Sequence, residues 1–138
     1  ELYSHSKKKM DRSKFEEYYI KARDLEGRIH SDEELKLLPN ISRRNRHSSE
    51  WRYRRNSAFL VFEYLEKKKG NSLLDLGCGN GWMTNYFAEL FDNSLGIDVN
   101  NQEIEQAKRV FSRSNLDFKC CDIFQTKDLG TINTLAVL

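Results

Sequence analysis

The chain reads LLDLGCGNGW across residues 73–82, and no other stretch limits its fold so tightly. An apolar run broken by one acid, Asp75, ends in three glycines within five positions, Gly77, Gly79 and Gly81. Such a run fits a short buried strand that stops in a turn. Gly77 permits the tight turn out of the strand. Gly79 and Gly81 are expected to clear side chains from a place where a ligand lies against backbone. The helix expected next offers unpaired N–H groups at its start, which favour negative charge.

Beyond the glycine loop the chain keeps an alternating rhythm. Residues 81–91 place Trp82, Met83, Tyr86, Phe87, Leu90 and Phe91 at helical spacing. SLGIDV reads as a second strand. Residues 101–112 form a second helix with Ile104, Ala107, Lys108 and Phe111 on one side. LDFKCCDIF reads as a third strand and TINTLAVL as a fourth. Strands alternating with helices predict an α/β fold, a Rossmann-like parallel sheet with right-handed crossovers and helices on both faces. Ligands of such sheets bind beyond the carboxyl ends of the strands, where the strand order reverses. The glycine loop stands at such an end.

Before Gly70 the chain has a different character, long charged and aromatic stretches holding one glycine and the only proline, Pro39. Three helices are expected there. Ser13 with Glu16 has the spacing of a capping box, and so has Ser31 with Glu34. Pro39 stops the second helix. The third starts near Ser48 and carries a stripe of Trp51, Ala58, Phe62 and Leu65, with Arg54 and Arg55 set into it. Arginines at that place either snorkel at the stripe's edge or meet an anionic group.

Charge divides the chain in the same way. Residues 1–70 carry 18 Lys/Arg and 12 Asp/Glu, and residues 71–138 carry 5 and 9, which together make the net +2. The length of 138 residues suits one domain. No apolar run approaches the roughly 18 residues of a membrane span, and the basic N-terminus lacks the apolar segment of a secretory signal. A cytoplasmic protein is the expectation. Cys78, Cys120 and Cys121 lack zinc spacing and read as reduced structural thiols, so no metal site is expected.

The glycine spacing discriminates between ligands. Dinucleotide folds need G-x-G-x-x-G, and here Trp82 stands where the last glycine belongs. That argues against NAD. LLDLGCGNGW instead resembles motif I of the class I S-adenosylmethionine-dependent methyltransferases. GIDVN, with Asp98 17 residues after Gly81, and CCDIF, with Asp122, stand at the next two strand ends in the order that family shows. EWRYRRNS with GNGW is similar to its type-11 subgroup. The resemblance covers roughly residues 47–138, an S-adenosylmethionine-binding domain, and leaves 1–46 as a helical N-terminal extension.

The resemblance implies the cofactor S-adenosyl-L-methionine and a set of site residues. Gly77, Cys78, Gly79 and Gly81 would lie along its methionine end, with Asp75 accepting from the amino group through a water. Arg54, or failing it Arg55, would meet the carboxylate. Asp98 would take both ribose hydroxyls. Val99 and Ile123 would hold the adenine faces, and Asp122 its amino group. Trp82 is either core or close to the cofactor tail. A complete fold of this class has seven strands, so the chain is expected to be a fragment, truncated at its C-terminus, and no catalytic base is named. A small-molecule methyl acceptor is the leading expectation. The basic stretch RRNRHSSEWRYRR at 43–55 keeps a nucleic-acid acceptor open, and a non-catalytic cofactor-binding module is the third reading.

Overall fold

The computed structural model describes residues 11–68 and 70–124, and the backbone of 134–137. Helices α1 (Arg12–Leu25), α2 (Asp32–Leu37) and α3 (Ser48–Lys68) come first. Strand β1 (Ser72–Leu76), helix α4 (Trp82–Phe87), a 3₁₀ turn (Ala88–Leu90), β2 (Asn93–Asp98), α5 (Asn101–Val110), β3 (Leu116–Cys120) and β4 (Thr134–Val137) come after them.

The four strands form one sheet in the order β3-β2-β1-β4, with every pair parallel. The order reverses at β1, so the crevice beyond the carboxyl end of β1 is where a ligand is expected. The register sets Asp75 beside Gly96, and Gly96 beside Phe118, on one face. Leu73, two residues before Asp75, shares that face. Helices α3 and α4 pack on it through Trp51, Ala58, Leu65, Trp82 and Phe87. Ile104 and Ala107 of α5 pack on it through Phe118. The helices expected on the opposite face are not among the described residues.

Local chemistry explains the element ends. Ser31 and Glu34 form the expected reciprocal capping box at α2. At α1 the expectation is corrected, because Asp11 and not Ser13 is the cap, its side chain accepting from the Ser13 N–H. Asp holds the N-cap position at least as well as Ser. Asn100 caps α5 by accepting from the Gln102 and Glu103 N–H groups. The expected helix at 81–91 is shorter, ending at Phe87 before the 3₁₀ turn. The third strand ends at Cys120, and Cys121 to Phe124 form a turn that Asp122 closes by accepting from the Phe124 N–H at 3.0 Å. Lys108 is exposed and leaves the α5 stripe to Ile104 and Ala107.

The N-terminal helices are part of the same core. Leu35 of α2 is fully buried in the cluster that holds Trp51, Leu73 and Phe87.

Candidate functional site

A cavity of about 220 Å³ opens at the carboxyl end of β1. A single water needs about 10–15 Å³ on this kind of measure, so the space suits a ligand of many atoms. Its floor is Asp75, Gly77, Cys78, Gly79 and Asn80, and Trp82 and Met83 of α4 close one side. Its roof comes from the N-terminal helices and their links, through Tyr19, Arg23, Arg28, His30, His47 and Arg54. Glu103 of α5 completes the wall.

The floor is fixed by backbone bonds. The Gly77 and Cys78 N–H groups both donate to the Ile97 carbonyl, at 2.8 and 3.0 Å. Gly79 donates to Asp98 Oδ2 at 2.9 Å. Gly77 turns with φ 76°, in the left-handed region. Gly81 serves a different need from the one its spacing suggests. A Cβ there would overlap the Phe118 ring and stand 3.0 Å from Ala107. It lets α4 and the loop press against β3 and α5, and it does not line the cavity. This is the close helix-to-strand contact that the last glycine makes in the dinucleotide pattern.

Asp75 is the most constrained group of the site. It is 2% exposed, and its Oδ2 accepts from Thr84 Oγ1 at 2.6 Å. Its Oδ1 is buried without a hydrogen-bond partner among the described residues. Burial pushes the carboxyl pKa up, the Thr84 bond opposes this, and the Asp98 charge adds to it. A buried acceptor left open on a cavity floor is matched to a donor from a ligand.

The roof holds a charge network. Glu50 accepts from Arg28 through two bonds of 2.7 and 2.8 Å, and from Arg54 Nε at 2.9 Å. These bonds, Arg28 first, hold the Glu50 carboxyl down at about 2. Glu26 pairs with Arg28 from the other side at 3.0 Å, so the network sets two guanidiniums against two carboxylates. The Arg54 guanidinium also lies 5.3 Å from the Trp51 ring centre. Trp51 in turn meets Trp82 and His30 edge-on, at 5.5 Å each. His30 is buried, which drives its pKa down. Burial likewise raises the Tyr19 and Glu103 pKa values; the Glu103 charge raises Tyr19 further, while the Arg23 charge and the Tyr19 bond oppose the rise at Glu103.

The structure brings Arg54, Asp75, Gly77, Cys78 and Gly79 together around one cavity. Trp82 is both core and lining. Arg55 lies elsewhere, on a groove with Pro39, Phe59 and Tyr86. Asp98 stands behind Gly79, with its Oδ1 also accepting from the Asn100 N–H at 2.8 Å. Val99 and Ile123, each 37% exposed, stand at the neighbouring strand ends with Asp122. Sequence reasoning misses Glu103 and the roof residues other than Arg54. A signal exists, since Glu103 stands four residues before Ala107 on the apolar stripe of α5, and Arg23 four residues after Tyr19 on that of α1. Among the described residues no cluster could hold a metal ion.

Comparison with known proteins agrees with this geometry. The sequence model of the family described as "Methyltransferase domain" matches residues 73–134. The chain is 34% identical over 84 residues to (S)-coclaurine N-methyltransferase of Thalictrum flavum subsp. glaucum, covering 57% of this chain and 23% of that protein. It is 34% identical over 61 residues to the malonyl-acyl-carrier-protein O-methyltransferase of Acetivibrio thermocellus, covering 43% and 22%. The chain thus spans about a quarter of the length of these curated relatives. Among solved structures, magnesium protoporphyrin IX methyltransferase from Synechocystis PCC 6803 shares the fold with a TM-score of 0.65 at 15% identity, over 93% of this chain and 62% of that one. A parallel sheet in the order β3-β2-β1-β4, a glycine loop on β1 and the matched residues 73–134 agree with one another, and over that stretch the chain is similar to the family described as "Methyltransferase domain".

Proposed function

We propose that the protein binds S-adenosylmethionine in the cavity above Gly77–Asn80 and transfers its methyl group to a small-molecule acceptor. The observation that carries this reading is the unpartnered Oδ1 of Asp75 on the cavity floor. An ammonium group placed there supplies the missing donor, and its charge offsets the desolvation that raises the Asp75 pKa. The glycine loop offers bare backbone beside it. Arg54, on the roof, faces the cofactor's carboxylate while Glu50 shares its charge with Arg28.

The residues beyond the cavity suit the nucleoside. Each Asp98 oxygen accepts one backbone N–H and keeps a lone pair for a hydroxyl donor, which a carboxylate can do and an amide cannot. Val99 and Ile123 hold exposed apolar surface at two adjacent strand ends, suited to the two faces of a flat base. Asp122 stands next to Ile123, placed for an amino group.

When bound, the cofactor supplies a methyl group already activated on a sulfonium. The protein's contribution is alignment, holding the donor so that a nucleophile meets the methyl in line with the sulfur. Loop Gly77–Asn80 fixes one end of that line and the roof excludes water from it. A small acceptor is favoured over a nucleic acid because the basic stretch is partly engaged internally. Arg46 donates to the Glu26 carbonyl and to His47, and Arg54 to Glu50. None of the three cysteines forms a disulfide. Among the described residues no helix is long and apolar enough to cross a membrane.

Calorimetry tests the reading. S-adenosylmethionine and S-adenosylhomocysteine should bind with one-to-one stoichiometry, and NAD should not. Asp98→Ala should weaken both by at least tenfold. Heat of binding from NAD alone would remove the proposal.

A further inference from the structure

We infer that a second chamber beside the cofactor cavity receives the anionic group of the methyl acceptor, with Arg23 as its anchor. The inference rests on the methyltransferase reading above and adds the chemical class of the acceptor, a small carboxylate with an apolar body.

The chamber measures about 200 Å³ and lies between α1, the link to α2, and α5. It shares Arg23, Arg28, His30, Asn80 and Glu103 with the cofactor cavity. A ligand in it is therefore one side chain away from the glycine loop, as a methyl acceptor must be.

The charges of the lining select an anion. Three guanidiniums, Arg23, Arg28 and Arg109, face one carboxylate, Glu103. Two of the three are engaged. Arg28 is bound twice by Glu50, and Arg109 twice by Asp32, at 2.7 and 2.9 Å. Arg23 is not held in this way. Its ion pair with Glu103 is long at 4.0 Å, and its Nε is buried with no hydrogen-bond partner among the described residues. Glu103, at that distance, leaves the guanidinium without a short partner. A buried donor left unmade is costly, and a guanidinium is shaped to take a carboxylate by two parallel bonds. Ile20 and Ile29 line the same chamber and give an apolar body something to rest on.

Arg23 also borders the cofactor cavity, so the test must separate an acceptor's carboxylate from the cofactor's own. The intact protein is saturated with S-adenosylhomocysteine and titrated with benzoate, and with benzamide as its neutral counterpart, while the Asn80 and Gln102 side-chain amide signals are monitored by NMR. Benzoate should bind the saturated protein and shift these signals, and benzamide should bind at least tenfold more weakly. Arg23→Met should weaken benzoate at least tenfold and S-adenosylhomocysteine by a smaller factor, since Arg23 borders both spaces. Arg23→Lys keeps the charge without the fork and should fall between, which guards against a folding defect in the first variant. Three results would overturn the inference: competition between benzoate and S-adenosylhomocysteine, equal binding of benzoate and benzamide, or a loss of S-adenosylhomocysteine affinity in Arg23→Met at least as large as the loss for benzoate. Failure of S-adenosylhomocysteine to bind the unaltered protein would instead remove the methyltransferase reading on which it rests.

Discussion

Gly77 and Gly81 have the same backbone hand and opposite surroundings. Both have φ near 75°, but nothing lies within 4 Å of a Cβ at Gly77, whereas one at Gly81 meets Phe118 and Ala107. Alanine at Gly77 bears only the left-handed penalty, about 1–2 kcal/mol. Alanine at Gly81 adds overpacking and should cost about 2–4 kcal/mol. Urea unfolding of the two variants checks the order, and an equal loss would refute the contact. Asp75 makes a second prediction at this scale. Burial raises its folded pKa above the unfolded value, so the folded chain holds the proton more tightly. Its contribution to stability is full at low pH and lost as pH rises through the folded pKa. Asp75→Asn keeps an acceptor for Thr84 and removes the buried charge. That variant should be more stable than the parent at pH 7, with the gain shrinking toward pH 4, and should bind S-adenosylmethionine more weakly. A variant destabilised at pH 7 would show that the carboxylate does more for the fold than its burial costs.

Helix α3 joins the roof to the sheet at Trp51. The indole is 7% exposed and touches Trp82 on one side and His30 on the other. Trp51→Ala should cost about 3–5 kcal/mol, read by denaturant unfolding. One residue earlier, Glu50 gives the same helix an acid-sensitive tie. Its folded pKa of about 2 lies below its ordinary 4.5. The stability it contributes is present above 4.5 and lost as pH falls toward 2, the reverse of the Asp75 trend. Glu50→Gln should flatten the acid limb of the stability profile, and an unchanged limb would mean that the Arg28 and Arg54 bonds contribute little in solution. The same helix shows what is legible in the sequence. The stripe of Trp51, Ala58 and Leu65 is readable from period alone, as are the strands, the Ser31 capping box and the floor of the site, because those depend on neighbours in sequence. The Arg28–Glu50 pair spans 22 residues and the Gln106–His30 bond 76. Such contacts depend on where the roof docks, which no local pattern encodes. Spacing alone misreads Gly81 for the same reason, since its partner Phe118 is 37 residues away.

The roof and the sheet share one hydrophobic cluster in this arrangement. Leu35 and Trp51 from the first half share a cluster with Leu73, Trp82 and Phe87 from the second. Polar bonds from α5 add to it, with Gln106 donating to the His30 carbonyl at 2.8 Å and Arg109 to Asp32. The cavity lies between these halves, lined by both. A ligand there binds only the state in which roof and floor are assembled, so its binding energy stabilises the whole molecule. At a concentration of S-adenosylmethionine about 100 times its dissociation constant, this linkage adds about 2.7 kcal/mol. For a chain of this size the melting temperature should then rise by roughly 9 °C in a single transition. The rise should be smaller in Asp75→Asn at the same cofactor concentration, because the floor's open acceptor is weakened there. Two resolved transitions, of which only one moved with the cofactor, would mean that roof and sheet melt apart. The cavity between them would then not be the cofactor's full site.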